Sequence, residues 1–143
     1  MNLLDVNLLL YAHDERARLH KKAKAWLERE FNEPEPTGLA LSTVLSFVRI
    51  ATSSRILLAP LSVEEACALV DEWLLQMSVV LLLPTERHWR VVADLAVASN
   101  AAGSLVPDAD LAATALEHGA TLCTHDRDFA RFPNLRVTYP LTV

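Results

Sequence analysis

Short apolar runs alternate with longer amphipathic segments along the whole chain. The first run, Asn2–Leu4, predicts a buried strand that ends at Asp5. The run Val79–Leu83 is uniformly aliphatic, which predicts a strand covered on both faces. Thr121–Thr124 predicts another short strand, and Val137 with its neighbours predicts an edge strand. These runs are short enough to be the strands of one central sheet.

Six further segments carry apolar residues at helical spacing or a helix-start signal. The clearest start is Ser62-Val63-Glu64-Glu65, which has the form of a capping box. The stretch Pro34–Gly38 predicts a loop, because proline and glycine interrupt regular structure. Strands that alternate with helices predict a three-layer α/β domain with a mostly parallel central sheet flanked by helices, and no linker interrupts residues 1–143. Helices are predicted to begin at Leu19, Ser42, Ser62, Thr85 and Pro107, and Val6–Ala12 is predicted to form a short helix or a turn.

Composition favours a globular, cytoplasmic protein. The chain has 143 residues, which suits one domain, and its 52% hydrophobic content excludes a disordered chain. Charge at Asp5 and again at Asp14 argues against a signal peptide, and no apolar run approaches the roughly 20 residues that span a bilayer. Cys67 and Cys123 are far apart and lack metal-ligand spacing, so we expect both to be buried thiols in a reducing compartment.

The charge balance allows nucleic-acid binding without favouring it. A formal net charge of −5 argues mildly against a nucleic-acid partner, since such partners usually bind basic surfaces. A local basic strip nevertheless lies near the predicted second helix. The strip consists of Arg16, Arg18, Lys21, Lys22 and Lys24. The chain has three glycines and therefore no glycine-rich phosphate loop.

Carboxylates follow the ends of predicted strands, where open α/β sheets bind their ligands. Asp5 follows the first strand, Asp126 follows Thr121–Thr124, and Asp108 opens the helix that leads into that strand. Converging carboxylates repel one another, and a hard divalent cation such as Mg²⁺ or Mn²⁺ removes that repulsion. A structural alternative stays open, because helix caps and turns also favour aspartate. His88 has no partner at ligand spacing.

Four segments together resemble the PIN-domain VapC toxins of toxin–antitoxin systems. The opening segment has an aspartate at the end of the first strand and an Asx-type residue two places later. The last two segments, in this order, are the specific part of the resemblance, which extends to about Leu135. The segments are MNLLDVNLLLYA (1–12), FVRIAT (47–52), VPDADLAATALEHGA (106–120) and TLCTHDRDFARFP (121–133).

The resemblance implies a single PIN domain that hydrolyses RNA phosphodiester bonds with Mg²⁺ or Mn²⁺. It implies that Asp5, Asp108 and Asp126 are the metal ligands and that Asp126 could act as general base. It also implies an RNA substrate, a cognate VapB-like antitoxin and a homodimer. The supporting residues would be Asn7 at the rim, Thr124 orienting the site by hydrogen bonding, Asp128 as an accessory carboxylate, and Ser46 and Arg49 on the third helix.

One departure from the family pattern concerns the helix near Ser42–Thr52. PIN nucleases usually carry a glutamate there, and the expected place is Ser46, which supplies no charge. Arg49 on that helix is a candidate for contacting phosphate or the carboxylates. An alternative function is therefore a catalytically weak or degenerate domain that binds antitoxin or RNA. A receiver or haloacid-dehalogenase phosphatase fits poorly, because Asn7 replaces the second aspartate of the phosphatases and no lysine follows Lys24, as receivers require.

Overall fold

The computed structural model describes residues 1–142, and a five-stranded sheet forms its centre. The strands are β1 (Asn2–Leu4), β2 (Thr37–Ala40), β3 (Val79–Leu82), β4 (Thr121–Cys123) and β5 (Val137–Thr138). Their order across the sheet is β3-β2-β1-β4-β5, and every neighbouring pair is parallel. The carboxyl ends of all five strands therefore lie along one edge, with β1 in the middle.

Six α-helices and two short 3₁₀ turns connect the strands within the described residues. The helices are α1 (Val6–His13), α2 (His20–Phe31), α3 (Leu41–Ala51), α4 (Val63–Leu75), α5 (His88–Ser99) and α6 (Val106–Glu117). The 3₁₀ turns cover Gly103–Leu105 and Arg127–Arg131. No helix among the described residues combines the length and apolarity needed to cross a membrane.

Alternate strand residues pack into two separate cores. Leu3 packs with buried residues of α5 and α6, such as Val92 and Ala112. Its neighbour Leu4 points to the opposite face and packs with Leu8 of α1 and other residues of α1 to α4. Because successive side chains of a strand alternate between faces, this arrangement gives helix, sheet and helix layers. The predicted three-layer α/β fold with a parallel sheet is confirmed.

Residues typical of helix ends begin and end α6 and begin α4. Pro107 lies in the first turn of α6, where its missing N–H costs nothing, and Asp108 follows it directly. Gly119, with a φ of 62°, ends this helix in the left-handed region that glycine adopts most readily. The capping box of α4 is also present, because Ser62 Oγ accepts from Glu65 N at 3.1 Å and Glu65 Oε1 accepts from Ser62 N at 3.1 Å.

Local details differ from the sequence-based expectations. Thr37 and Gly38, predicted to lie in a loop, begin β2. A Cβ on Gly38 would lie 2.7 Å from Leu82 Cδ1, so glycine here lets the leucine of β3 lie against the neighbouring strand. The expectation that β3 is covered on both faces is wrong, because β3 is an edge strand and Val80 is 42% exposed. Cys67 is exposed on α4 instead of buried.

One helix start was also predicted too early. Helix α5 begins at His88 and not at Thr85. The backbone N–H and hydroxyl of Thr85 both donate to Glu117. Its hydroxyl also accepts from Arg87 N at 3.2 Å. These bonds hold the segment before α5 in a turn, and so displace the helix start by three residues.

Candidate active site at the carboxyl edge of the sheet

Asp5 and Thr124 leave the sheet side by side, because they follow paired residues of β1 and β4. Leu4 pairs with Cys123 in the parallel ladder, and Asp5 N donates to Cys123 O at 2.9 Å. Thr124 Oγ1 donates to Asp5 Oδ2 at 2.6 Å, and both residues are buried. The parallel pairing thus places two predicted site residues in direct contact.

The Asp5 carboxylate is almost fully enclosed and accepts three hydrogen bonds. Oδ1 accepts from Val6 N at 2.7 Å, which caps α1, as the structural alternative anticipated. Oδ2 accepts from Asn7 Nδ2 at 3.0 Å in addition to the Thr124 hydroxyl. Burial raises the pKa of Asp5, the bonds from Thr124 and Val6 oppose that rise, and the charge of Asp126 adds to it. One carboxylate therefore serves both as a helix cap and as a wall of the site.

A second group of carboxylates lies beside Asp5. Asp108, Asp126 and Asp128 each place one carboxylate oxygen within 4.8 Å of the others. Asp126 N donates to Thr124 Oγ1 at 3.0 Å, and Asp126 Oδ1 accepts from Asp128 N at 2.9 Å. These bonds fix the turn after β4, and so they hold the Asp126 side chain toward the start of α6.

Mutual repulsion is clearest at Asp108. Its pKa is raised to about 6, first by burial and then by the negative charges of Asp126, Asp5 and Asp128, while Arg131 opposes the rise. A set of three or four oxygen donors with no thiol and no imidazole suits a hard divalent cation such as Mg²⁺ or Mn²⁺. The donor chemistry of this edge therefore fits the metal that the sequence resemblance implies.

A pocket of about 210 Å³ opens between α3 and α6 in front of these carboxylates. Asp5 and Asp108 line it together with Ser46 and Arg49. Ser46 is half-buried, and Arg49 is exposed and forms no ion pair with any residue that the structure describes. Helix α3 contributes Ser42, Thr43, Ser46, Arg49 and Ile50 to the pocket and no carboxylate. All eight candidate residues thus lie in one region, either on the pocket or in the hydrogen-bonded carboxylate group.

The sequence did not reveal a cluster centred on His88. Because carboxylate oxygens only accept, both ring nitrogens of His88 act as donors: Nε2 to Asp110 Oδ1 at 2.5 Å and Nδ1 to Glu117 Oε2. Burial lowers the pKa of His88, but the two carboxylates outweigh burial and raise it overall. The sequence shows no partner at ligand spacing from His88, because the partners that the structure reveals lie 22 and 29 residues away along the chain. Only the packing of α5 on α6 brings them together.

The class of protein follows from a comparison with known families. The model of the family described as PIN domain matches residues 3–135, nearly the whole chain. Solved structures agree in fold. VapBC2 from Rickettsia felis bound to a promoter DNA fragment superposes with a TM-score of 0.71 at 17% identity, covering 96% of each chain. VapC20 from Mycobacterium tuberculosis, described as a sarcin-ricin loop cleaving toxin, gives a TM-score of 0.68 at 15% identity, covering 95% of this chain and 99% of its own.

Closer relatives narrow the family. Ribonuclease VapC43 of Mycobacterium tuberculosis is 42% identical over 141 residues, covering 99% of this chain and 96% of the relative. Ribonuclease VapC33 of the same species is 40% identical over 141 residues, covering 99% of both. This chain therefore belongs to the VapC ribonucleases of the PIN domain family.

Proposed function

We propose that this protein is a Mg²⁺- or Mn²⁺-dependent endoribonuclease that acts as the toxin of a toxin–antitoxin pair. The observation that carries the proposal is the group of carboxylates at the carboxyl edge of the sheet, where Asp108, Asp126 and Asp128 lie within 4.8 Å of one another next to buried Asp5. Relatives that are 40–42% identical over nearly the whole chain are ribonucleases by name, which supports RNA as the substrate.

Each residue of the site has a distinct task in this proposal. Asp5, Asp108 and Asp126 hold the cation, which when bound polarises the scissile phosphate, lowers the pKa of a water and stabilises developing negative charge. Thr124 and Asn7 orient Asp5 through the hydrogen bonds to its Oδ2. Asp126 accepts a proton from the attacking water, and Asp128 supports the turn that carries it.

Arg49 and the basic strip provide positive groups that can contact the RNA backbone. Arg49 lines the pocket, and its guanidinium is free to bind a phosphate oxygen. The five cations of the basic strip are all exposed, and they lie just before α2 and in its first turns. Because phosphate contacts dominate the affinity for nucleic acid, a local positive surface compensates for the net charge of −5.

The proposal includes two protein partners. Solved neighbours of the same fold include VapBC complexes, such as VapBC-1 from nontypeable Haemophilus influenzae, which supports a VapB-like antitoxin. An antitoxin segment that offers an arginine to the carboxylates would block the pocket by pairing with them. We further propose that residues 1–143 form one domain, that the toxin is a homodimer, and that it acts in the cytoplasm on intracellular RNA.

Cleavage of a structured RNA pool by the purified, antitoxin-free protein tests the reaction. We expect cutting with Mg²⁺ or Mn²⁺, none with EDTA, and loss of cutting in Asp5→Asn and Asp126→Asn. Asp71→Asn, which makes the same chemical change on an exposed face of α4 outside the pocket, is the matched control and keeps activity. Cutting that persists in EDTA, or that survives Asp126→Asn unchanged, contradicts the proposed mechanism.

A second function, binding of RNA or antitoxin without cleavage, is favoured by one observation. Helix α3 presents only uncharged residues and Arg49 to the pocket, so the cation site has fewer charges than PIN nucleases usually supply. If folded protein binds RNA but cuts no RNA under any metal, and the aspartate variants bind RNA as the parent does, this second function replaces the first.

A further inference from the structure

We propose that Asp110 of α6 provides a further carboxylate to the cation pocket, where the pocket borders α3. His88 is the positioning residue that holds Asp110 there. This inference rests on the proposed metal-dependent function and extends its ligand environment beyond Asp5, Asp108 and Asp126. Measurements of Mn²⁺ binding test it without any measurement of RNA cleavage.

Asp110 lies between α6 and α3. Residues two apart on a helix point in different directions, yet Asp108 and Asp110 both line the pocket in front of Asp5. Asp110 also lines an adjoining depression of about 160 Å³ with Ser42 and Leu45 of α3. Asp110 therefore lies where α6 faces α3, whereas Asp108 faces the turn that carries Asp126 and Asp128.

The negative charge in the pocket comes from Asp5 and from α6, and none of it comes from α3. The residues that α3 contributes include three hydroxyl side chains and the cation Arg49. Apart from Asp5 and Asp108, the carboxylate that lines this pocket is that of Asp110. A divalent cation needs negative charge on more than one side, because each carboxylate it contacts offsets part of its lost hydration. Asp110 supplies negative charge to the pocket outside the group formed by Asp108, Asp126 and Asp128.

His88 and Glu117 hold Asp110 in place through hydrogen bonds. His88 Nε2 donates to Asp110 Oδ1 at 2.5 Å, which leaves Oδ2 without a hydrogen-bond donor among the residues that the structure describes. His88 is held in turn by Glu117, whose side chain is 4% exposed and also accepts from Thr85 N at 3.1 Å. Glu117 fixes His88, and His88 fixes Asp110, so the orientation of Asp110 is set before any cation binds.

Titration with Mn²⁺, followed by the electron paramagnetic resonance signal of the free ion, tests the inference directly. We expect Asp110→Asn to weaken Mn²⁺ binding about tenfold, since groups that support a metal site commonly contribute this much. His88→Ala should weaken binding by a smaller factor. The double variant His88→Ala/Asp110→Asn should bind Mn²⁺ no more weakly than Asp110→Asn alone, because His88 acts through Asp110.

Two further measurements separate the possible outcomes. Thermal unfolding of each variant in EDTA reports any structural role of His88 in joining α5 to α6. If His88 has such a role, His88→Ala should lower the unfolding temperature equally with and without Asp110→Asn. If His88→Ala weakens Mn²⁺ binding by the same factor with and without Asp110→Asn, its positioning role is overturned. If Asp108→Asn weakens binding and Asp110→Asn leaves it unchanged, the role of Asp110 is overturned while the proposed function stands. If Asp108→Asn also binds Mn²⁺ as the parent does, the proposed metal site itself fails.

Discussion

The Thr124 hydroxyl donates to Asp5 Oδ2 at 2.6 Å across a separation of 119 residues, and Thr124 is fully buried. Thr124 Oγ1 also accepts from Asn7 Nδ2 at 3.2 Å and from Asp126 N at 3.0 Å. One hydroxyl thus joins the carboxylate after β1 to the turn after β4. Because a neutral hydroxyl both donates and accepts, an apolar side chain of the same size cannot replace it.

Replacing Thr124 by valine should therefore impair both stability and cation binding. The change preserves shape but leaves Asp5 Oδ2 short of a donor and Asp126 N short of an acceptor, at a cost of about 1–3 kcal/mol in the free energy of unfolding. Urea denaturation measures that loss, and Mn²⁺ titration measures the loss of affinity. Thr124→Ser keeps the hydroxyl and is the matched control. Equal stability and equal affinity in the valine and serine variants would show that the hydroxyl does not organise the site.

The raised pKa of Asp108 predicts that the metal-free protein becomes less stable as pH rises. The folded state holds the Asp108 proton up to about pH 6, whereas the unfolded chain releases it near the ordinary value of 3.8. Between these values the folded state binds more protons, and so the free energy of unfolding falls as pH increases. Below pH 3.8 both states are protonated and this loss disappears.

Asp108→Asn checks this sign. In EDTA the variant should unfold at a higher temperature than the parent above pH 6, and the difference should shrink toward pH 4. Adding Mn²⁺ should reverse the order, because the ion stabilises only a folded state that can bind it. A constant difference between the two proteins from pH 4 to 8 would mean that repulsion at Asp108 does not affect stability.

The positions of Asp5 and Asp126 could be predicted from the sequence because each lies just beyond the end of an apolar run. Asp5 directly follows Asn2–Leu4, and Asp126 lies in the turn after Thr121–Cys123, so both lie at the carboxyl edge of a parallel sheet. Asp108 was predictable from the proline that starts its helix. The three-layer fold followed from the same alternation of strands and helices.

Contacts that depend on tertiary packing could not be predicted in this way. The strand β2 begins with Thr37-Gly38 directly after Pro36, so local signals favoured a loop, while pairing with both β1 and β3 stabilises it as a strand. The bridge from His88 to Glu117 joins two helices and has no local pattern. The edge position of β3 likewise depends on the strand order, which a short aliphatic run does not encode.

Arg49 is expected to contribute to substrate binding and little to stability. It is exposed and has no ion-pair partner among the described residues, so Arg49→Ala should change the free energy of unfolding by less than about 0.5 kcal/mol. It should raise KM for RNA more than it lowers kcat.

The salt dependence of RNA binding distinguishes a direct phosphate contact from an indirect effect of Arg49. For single-stranded RNA, losing one contact should reduce the slope of log affinity against log salt concentration by about 0.7. Binding to the metal-free protein in EDTA, measured by fluorescence anisotropy, avoids cleavage during the experiment. Arg49→Lys retains the charge and should keep the slope. A slope that Arg49→Ala leaves unchanged would remove Arg49 from the RNA interface.

Introducing a carboxylate at Ser46 should strengthen cation binding and weaken the metal-free fold. Ser46 lines the pocket with Asp5 and Asp108, so Ser46→Glu adds a negative charge to the face of α3 that has no carboxylate. Without metal, the added charge repels the other carboxylates and lowers the unfolding temperature at pH 7.5. With Mn²⁺, the same charge becomes a ligand, and the affinity should rise about tenfold. Glutamine has nearly the same shape as glutamate without the charge. Ser46→Gln should therefore change neither the unfolding temperature nor the Mn²⁺ affinity in this way. If the glutamate variant binds Mn²⁺ no better than the glutamine variant, the cation does not lie within reach of α3, and the pocket side of Ser46 serves the RNA instead.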